Sequence, residues 1–339
     1  MLRRRLAPSL AALAALLVLA PAASATLTYQ AGVVRSTVWV ANDDGSGAHK
    51  LAAGRNPSIS PNGQAVAYGN RFSRATPVLR LIPTAGGTPR TILTNWRYGP
   101  FAWSPDSRFI ATQAGPEVGR QRLVLIDVAT GQVRTVATGF FSGASFSPDS
   151  TQLVYGRART DRLFAPTNVE IAAVAGGAPR RLTTDGHSIS PLWGPRQIVY
   201  TRWNRPTGKH RRDDGPKYHL WLMNPDGSGR RQLTKGRIPF LLSGLTATAW
   251  SADGTRLLAQ FGGQDTTYPV AVDPATGRQR KLGSATENGM DATGLSRDGT
   301  TVLGAYPAFD DDPSVATVPY AGGRATVLVR HATMPSWNR

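Results

Sequence analysis

One recurring phrase constrains this chain more than any other feature. A large apolar residue is followed by Ser-Pro-Asp-Ser or a close variant, as in "WSPDS" at 103–107 and "FSPDS" at 146–150. Further copies are "ISPNG" at 59–63, "WGPRQ" at 193–197, "WSADG" at 250–254 and "LSRDG" at 295–299. The residue after the large one falls at 60, 104, 147, 194, 251 and 296, with intervals of 44, 43, 47, 57 and 45. Between the phrases, short runs of Val, Ile, Leu, Thr and aromatics alternate with Gly, Pro, Asp and Asn clusters, without sustained helical periodicity. This is the pattern of strands and turns.

A period in the forties, with four short strands per repeat, predicts an all-β chain folded as a β-propeller. Ile59, Trp103, Phe146, Trp193, Trp250 and Leu295 supply one large apolar side chain per repeat, and the residue before each is mostly small. Neighbouring positions on a strand point to opposite faces. The large group is therefore expected in the core between blades, with the small one on the crowded opposite side. The first repeat lacks its first strand, and "MPSWNR" at the C-terminus reads as a first strand with nothing after it. Trp337 there matches Trp103, so the C-terminal strand is expected to complete the N-terminal unit. The result would be a seven-bladed ring without unpaired edges.

The first 25 residues read differently. Arg3, Arg4 and Arg5 precede the apolar run "LAALAALLVLA", then Pro21 and Ala23-Ser24-Ala25. This is the pattern of a secretory signal peptide, with an apolar stretch too short to span a bilayer. The expected domains are a signal peptide at 1–25 and a propeller at 26–339, without an appended hydrolase domain. Cleavage would remove three arginines and no acids from a formal charge of +18, leaving +15. Such a protein is drawn to polyanions. With no cysteine, neither a disulfide framework nor a lipid-attachment site is available.

"WSPDS" followed by "FIAT", "YHLWLMNPDGSGRRQLT" at 218–234 and "VWVANDDGSGAHKLA" at 38–52 resemble the TolB-type, WD-like propeller repeat of bacterial secreted proteins. The resemblance spans essentially all of residues 26–339 and implies the fold. Such repeats serve in scaffolds, periplasmic binding proteins and enzyme accessory domains, so it implies no single activity. TolB itself places an α/β domain before a six-bladed propeller. The resemblance therefore carries over the repeat and not a role in the Tol–Pal system.

Strand direction alternates within a blade, which sorts the loops onto two faces. One bears the short Ser-Pro-Asp and Gly-rich turns and reads as structural. The other bears loops of variable length and is the expected binding face. The 57-residue interval arises from two insertions on that face. "TRWNRPTGKHRRDDGPKY" carries Trp203, Arg205, Lys209, His210, Arg211, Arg212 and Lys217, and "TKGRIPFLLSG" carries Lys235 and Arg237. With Arg71, Arg74, Arg120, Arg122, Arg157, Arg159 and Arg162 they form an expected basic arc. Asp265, Glu287, Asp291 and Asp310 to Asp312 face it as an acidic one. Trp203, Trp96, Tyr98, Phe140 and Phe141 are expected to add stacking or apolar contacts. Arg55, Arg97, His187, His331 and Asp291 are expected near the channel mouth.

These features predict a secreted or periplasmic, monomeric, non-catalytic propeller that binds an envelope protein or an acidic polymer, without specific nucleic-acid recognition or a stable transmembrane segment. No cofactor is expected. The alternative is a metal-assisted propeller enzyme, a lyase or hydrolase acting on polysaccharide or a small ester or lactone. It would use His187, His331 and the acidic arc around a divalent cation. No Gly-x-Ser-x-Gly, His-Glu-x-x-His or phosphate-binding loop motif is present. Catalytic groups gathered from several blades would leave no linear motif.

Overall fold

The structure is a computed structural model, described for residues 26–338 apart from 34, 71–75, 117–118, 163–164, 206–214, 264, 284–288 and 309–311; side chains at 98–100 are also left aside. The expected signal peptide lies outside the described residues. So do Arg71, Arg74, Lys209, His210, Arg211, Arg212, Glu287, Asp310 and Asp311, and the side chain of Tyr98. Every regular element described is a strand. Among the described residues no helix is long and apolar enough to cross a membrane.

Each repeat forms four antiparallel strands, named here by the large residue ending the innermost one. The Ile59 unit comprises Arg55–Ile59, Ala65–Gly69, Val78–Pro83 and Arg90–Thr94. The Leu295 unit has the same order in Asp291–Leu295, Thr301–Tyr306, Ser314–Pro319 and Thr326–Val329. The Trp103 and Phe146 units share one 14-residue strand, Val133–Phe146, whose first half pairs with Gln121–Asp127 and second half with Gln152–Ala158. Gly143 allows its close approach to the Trp193 unit, since a Cβ there would stand 2.8 Å from the Cα of Ser190. As expected, the C-terminal strand Ala332–Trp337 pairs with Thr26–Ala31, placing Trp337 opposite Leu27. The amide of Thr26 donates to Asn338 Oδ1 at 2.7 Å.

The apolar core lies between units. One cluster joins Leu79, Leu81 and Ile92 of the Ile59 unit to Trp96, Ile110 and Val124 of the Trp103 unit. Another joins Leu220 and Leu222 to Leu257 and Val270 across the next junction but two. Leu27 and Tyr29 of the Trp337 unit pack on Leu303 and Val315 of the Leu295 unit, while Val38 packs on Ile59 and Tyr68. Full burial of one such aliphatic side chain contributes about 1.5–3 kcal/mol relative to exposure, so these junctions dominate the fold's stability.

Polar bonds fix the angle and register of those junctions. Every innermost strand carries a register shift near its middle. Such a bulge frees an amide from the ladder. The preceding unit receives it: Asn56 N donates to Gln30 Oε1 at 3.0 Å, and Ser190 N to Ser142 Oγ at 3.3 Å. Asn56 and Ser190 both have positive φ. In the Ser-Pro-Asp turn, the first serine donates to the aspartate, as Ser147 does to Asp149 and Ser251 to Asp253. The residue after Asp, or after Asn62, also has positive φ and is Gly63, Gly254 or Gly299, or else Ser107 or Ser150. Those two serine hydroxyls accept from the preceding unit's turn, from Asn62 N and Asp106 N. The bond offsets the cost of a non-glycine residue in that conformation.

A second set of clasps runs along the outermost strands. His49, Arg90, Arg134, Arg180, Arg231 and Arg280 hold one register position, opposite Val40, Leu81, Leu125, Ile171, Leu222 and Ala271. Each donates to a backbone carbonyl in the next unit's outer turn: Thr84, Val128, Val174, Asp226, Pro274 and Tyr320. At the junction from the Leu295 unit to the Trp337 unit this register holds Thr326. There Gly45 approaches Leu328 instead, so closely that a Cβ would lie 2.7 Å from its carbonyl oxygen.

Replacing Arg134 with Met, which keeps much of the stem and removes the donor, should lower Tm by about 1–3 °C, with Arg134→Lys intermediate; thermal melts of the three proteins check this. Acid should destabilise the turns. Hydrogen bonds hold the carboxyls of Asp44, Asp127, Asp149, Asp226 and Asp273 below the usual range, and that of Asp253 at about 2. Because the folded values lie below the unfolded one, this contribution is complete above about pH 4 and disappears as pH falls toward 2. Melts between pH 5 and 2 should show the loss, with a smaller one in Asp253→Asn.

Candidate functional site

On the variable face, the Phe146 and Trp193 units leave a cleft of ≈370 Å³ between them. Phe140 and Phe141 line it from the long shared strand, Trp203 and Tyr218 from the next unit, and Asp161 and Arg162 from the intervening loop. Three aromatics singled out in the sequence, Phe140, Phe141 and Trp203, are thus brought together. Trp203, expected to offer a stacking surface, is itself buried, at 4%. The cause is its place on Ile198–Asn204, where His187 meets the indole edge-on at 4.2 Å between ring centroids and 82° between planes. Trp203 N also donates to the carbonyl of His187. His187 is therefore a half-buried support beneath the cleft, and not an isolated solvated imidazole.

The surrounding charges divide into groups bonded within the protein and groups exposed to solvent. Asp185 accepts from His187 N and Ser188 Oγ at 2.9 Å, and its other oxygen lies 3.0 Å from Arg202 Nε. This fixes the entry to the innermost strand Ser188–Trp193. Arg157, expected in the basic arc, is drawn inward by buried Glu170 at 3.2 Å, and its Nε and Nη2 donate to the carbonyl of Thr138. Tyr155 donates to the same carboxylate, and burial followed by that negative charge pushes its phenol upward. Tyr200, buried and near Asp185, is pushed up to about 12. Arg159, Arg162 and Arg205 remain exposed.

Several other sequence candidates lie apart from the cleft. Arg55, expected near the channel mouth, is buried: it is 5% exposed, and its Nε donates to the carbonyl of Asn70 at 2.9 Å. Trp96 is buried with Nε1 on Thr112 Oγ1, and does not serve as a surface platform. Arg97 is half-buried at the bulge of its strand. His331 is exposed and paired with Asp312. Asp291 is reached by water yet surrounded by protein, and this desolvation pushes its carboxyl upward. His187 and His331 thus have different partners. Among the described residues no three His, Asp or Glu side chains converge as metal ligands would.

The short-turn face, read as structural, holds a second cavity of ≈460 Å³. Ile59, Trp103, Phe146, Trp193, Trp250, Leu295 and Trp337 all line it. These residues do pack between units, with Trp250 flat against Gly194 and Trp337 against Gly294. They also converge on one opening, a consequence of their shared register on the innermost strands. That shared register was the available signal for the cavity.

Trp203→Phe should fold with a modest loss of stability, whereas Trp203→Ala should cost about 3–5 kcal/mol by leaving a cavity. Urea denaturation distinguishes the two, and a small loss for alanine would return the indole to the surface.

No protein-family model matches the sequence. An uncharacterised protein of Agrobacterium fabrum is 25% identical over 209 residues, covering 58% of this chain and 66% of that protein, just under two thirds of its length. Among solved structures, TolB from Acinetobacter baumannii is similar with a TM-score of 0.54 at 16% identity, covering 89% of this chain and 79% of that one. An oligogalacturonate lyase in complex with manganese is similar at 0.62 and 17%, covering 91% and 85%. A puromycin-hydrolyzing peptidase of Mycobacterium tuberculosis is similar at 0.64 and 21%, covering 91% of this chain and 53% of that one. At these identities the likeness is one of fold, and the shared fold is a β-propeller. The neighbours include both TolB and enzymes.

Proposed function

We propose that this chain is a secreted, TolB-like, seven-bladed propeller closed by its C-terminal strand, and that it binds an envelope protein or polymer without catalysing a reaction. The leader pattern supports export, and the apolar clusters that join successive units, including the last to the first, support closure. The observation that carries the binding reading is the cleft between the Phe146 and Trp193 units. It combines an aromatic wall of Phe140, Phe141 and Trp203 with the exposed cation Arg162. Such a site takes an apolar or aromatic group from a partner that bears acidic neighbours. Burial provides affinity, while charge speeds encounter and selects orientation. His187 would act as a positioning residue that holds the indole wall in place.

The test is capture of envelope and culture-medium components on the purified protein, eluted in rising salt and repeated with Phe141→Ala, Arg162→Glu and the Arg211→Glu, Arg212→Glu pair. An acidic partner should be retained by the unaltered protein and bound at least about tenfold more weakly by Phe141→Ala and Arg162→Glu. The charge reversals should also reduce the dependence on salt. Equal retention by all the variants would exclude the cleft. Turnover of a polysaccharide or ester that needs divalent metal, His187 and His331 would replace binding with catalysis.

A further inference from the structure

We infer a second binding surface on the outer edge of the Trp193, Trp250 and Leu295 units, suited to a phosphate-bearing polymer without bases. Two grooves adjoin there, of ≈450 and ≈480 Å³. Arg256, Arg278 and Arg280 line the first, and Arg231, Lys235 and Arg278 the second. Arg278 belongs to both, so the basic surface is continuous across the outermost strand Gln279–Lys281. A continuous run of cations suits an extended ligand better than a single ion.

The way these arginines are held gives the surface its chemistry. Arg231 donates to the carbonyl of Pro274, Arg280 to that of Tyr320, and Arg256 to that of Asp298 at 3.2 Å while lying over the Tyr320 ring. A neutral carbonyl restrains a guanidinium without cancelling its charge. The ordering cost is met by the fold. Arg157 and Arg202, by contrast, are paired with carboxylates. Among the described residues the one acid lining the grooves, Asp273, directs Oδ1 to the amides of Ala275 and Thr276 in its own turn, and its charge also acts on Arg278, as that of Asp253 does on Arg256.

Three guanidiniums on one groove favour a group with several oxygens and more than one negative charge, which describes phosphate better than a single carboxylate. Among the described residues the only aromatic lining either groove is Tyr320, whose ring lies under Arg256 and whose hydroxyl donates to the carbonyls of Leu257 and Val272. No free platform is offered for stacking bases, which sets a base-free polymer apart from single-stranded nucleic acid. This surface is distinct from the aromatic cleft, and the two are tested by different variants.

The probe is a fluorescent linear inorganic polyphosphate, titrated into the full-length purified protein at several salt concentrations. Lys235→Ala with Arg278→Ala should weaken binding about tenfold and reduce the log–log salt slope by about two, one for each cation removed. Thermal melts should stay unchanged. Arg120→Ala with Arg122→Ala, exposed on the variable face and outside both the cleft and the grooves, should bind as the unaltered protein does. Unchanged binding in the Lys235 and Arg278 variant would overturn the inference, as would an equal loss from the Arg120 and Arg122 pair. Tighter binding of polygalacturonate or of an oligonucleotide of equal charge would overturn the assigned ligand class.

Discussion

A four-stranded antiparallel sheet with two apolar faces cannot bury either within itself, and this constraint governs the molecule. Each unit must cover its faces with its neighbours, which is why the core clusters span junctions and not single units. Alternation of a large and a small residue at the end of each innermost strand follows directly. The indoles of Trp250 and Trp337 fit against Gly194 and Gly294, where a longer side chain would collide. Hydrophobic contact supplies most of the stability, but it is tolerant of sliding and tilt. The bulge amides, turn serines and rim clasps supply direction, since each bond holds only near one separation and angle.

The arginine content has two physical roles that net charge cannot distinguish. Arg55 and Arg157 are drawn into the structure, the first to a backbone carbonyl and the second to a buried carboxylate. Arg134, Arg180, Arg231 and Arg280 link neighbouring units while retaining their charge, because their acceptors are neutral. A strongly basic composition is therefore partly a record of how the junctions are fastened. The same fastening leaves an ordered positive rim. The clasp register holds Thr326 where the Leu295 unit meets the Trp337 unit, and there Gly45 achieves the approach by having no side chain.

Much of the fold was legible in the sequence because its information is periodic. The Ser-Pro-Asp phrase marked the innermost strand and first turn of each unit, and the incomplete first and last repeats implied that the C-terminal strand pairs with the N-terminal unit. The site was legible in part. Phe140, Phe141 and Trp203 were identifiable as aromatics at loop boundaries of one face, and the cleft contains all three. The opposite cavity was not legible, because the seven large strand-end residues among its lining have a sufficient explanation as packing groups. A shared register implied convergence as well, but convergence involves all the units at once.

The sequence by itself determined the strand period, the turn chemistry, the face of each strand and the partner of the terminal strand. Those properties depend on near neighbours, steric limits and alternation, all of which are written locally. Only the tertiary structure decided which of several similar residues reach water and which are consumed. Arg157 pairs with Glu170 while Arg159, two residues on, stays exposed, and Trp203 is buried although it stands at the edge of a long polar loop. The physical reason is that a side chain's environment at a junction is set by the adjoining unit. Its identity and angle arise only when the units pack together.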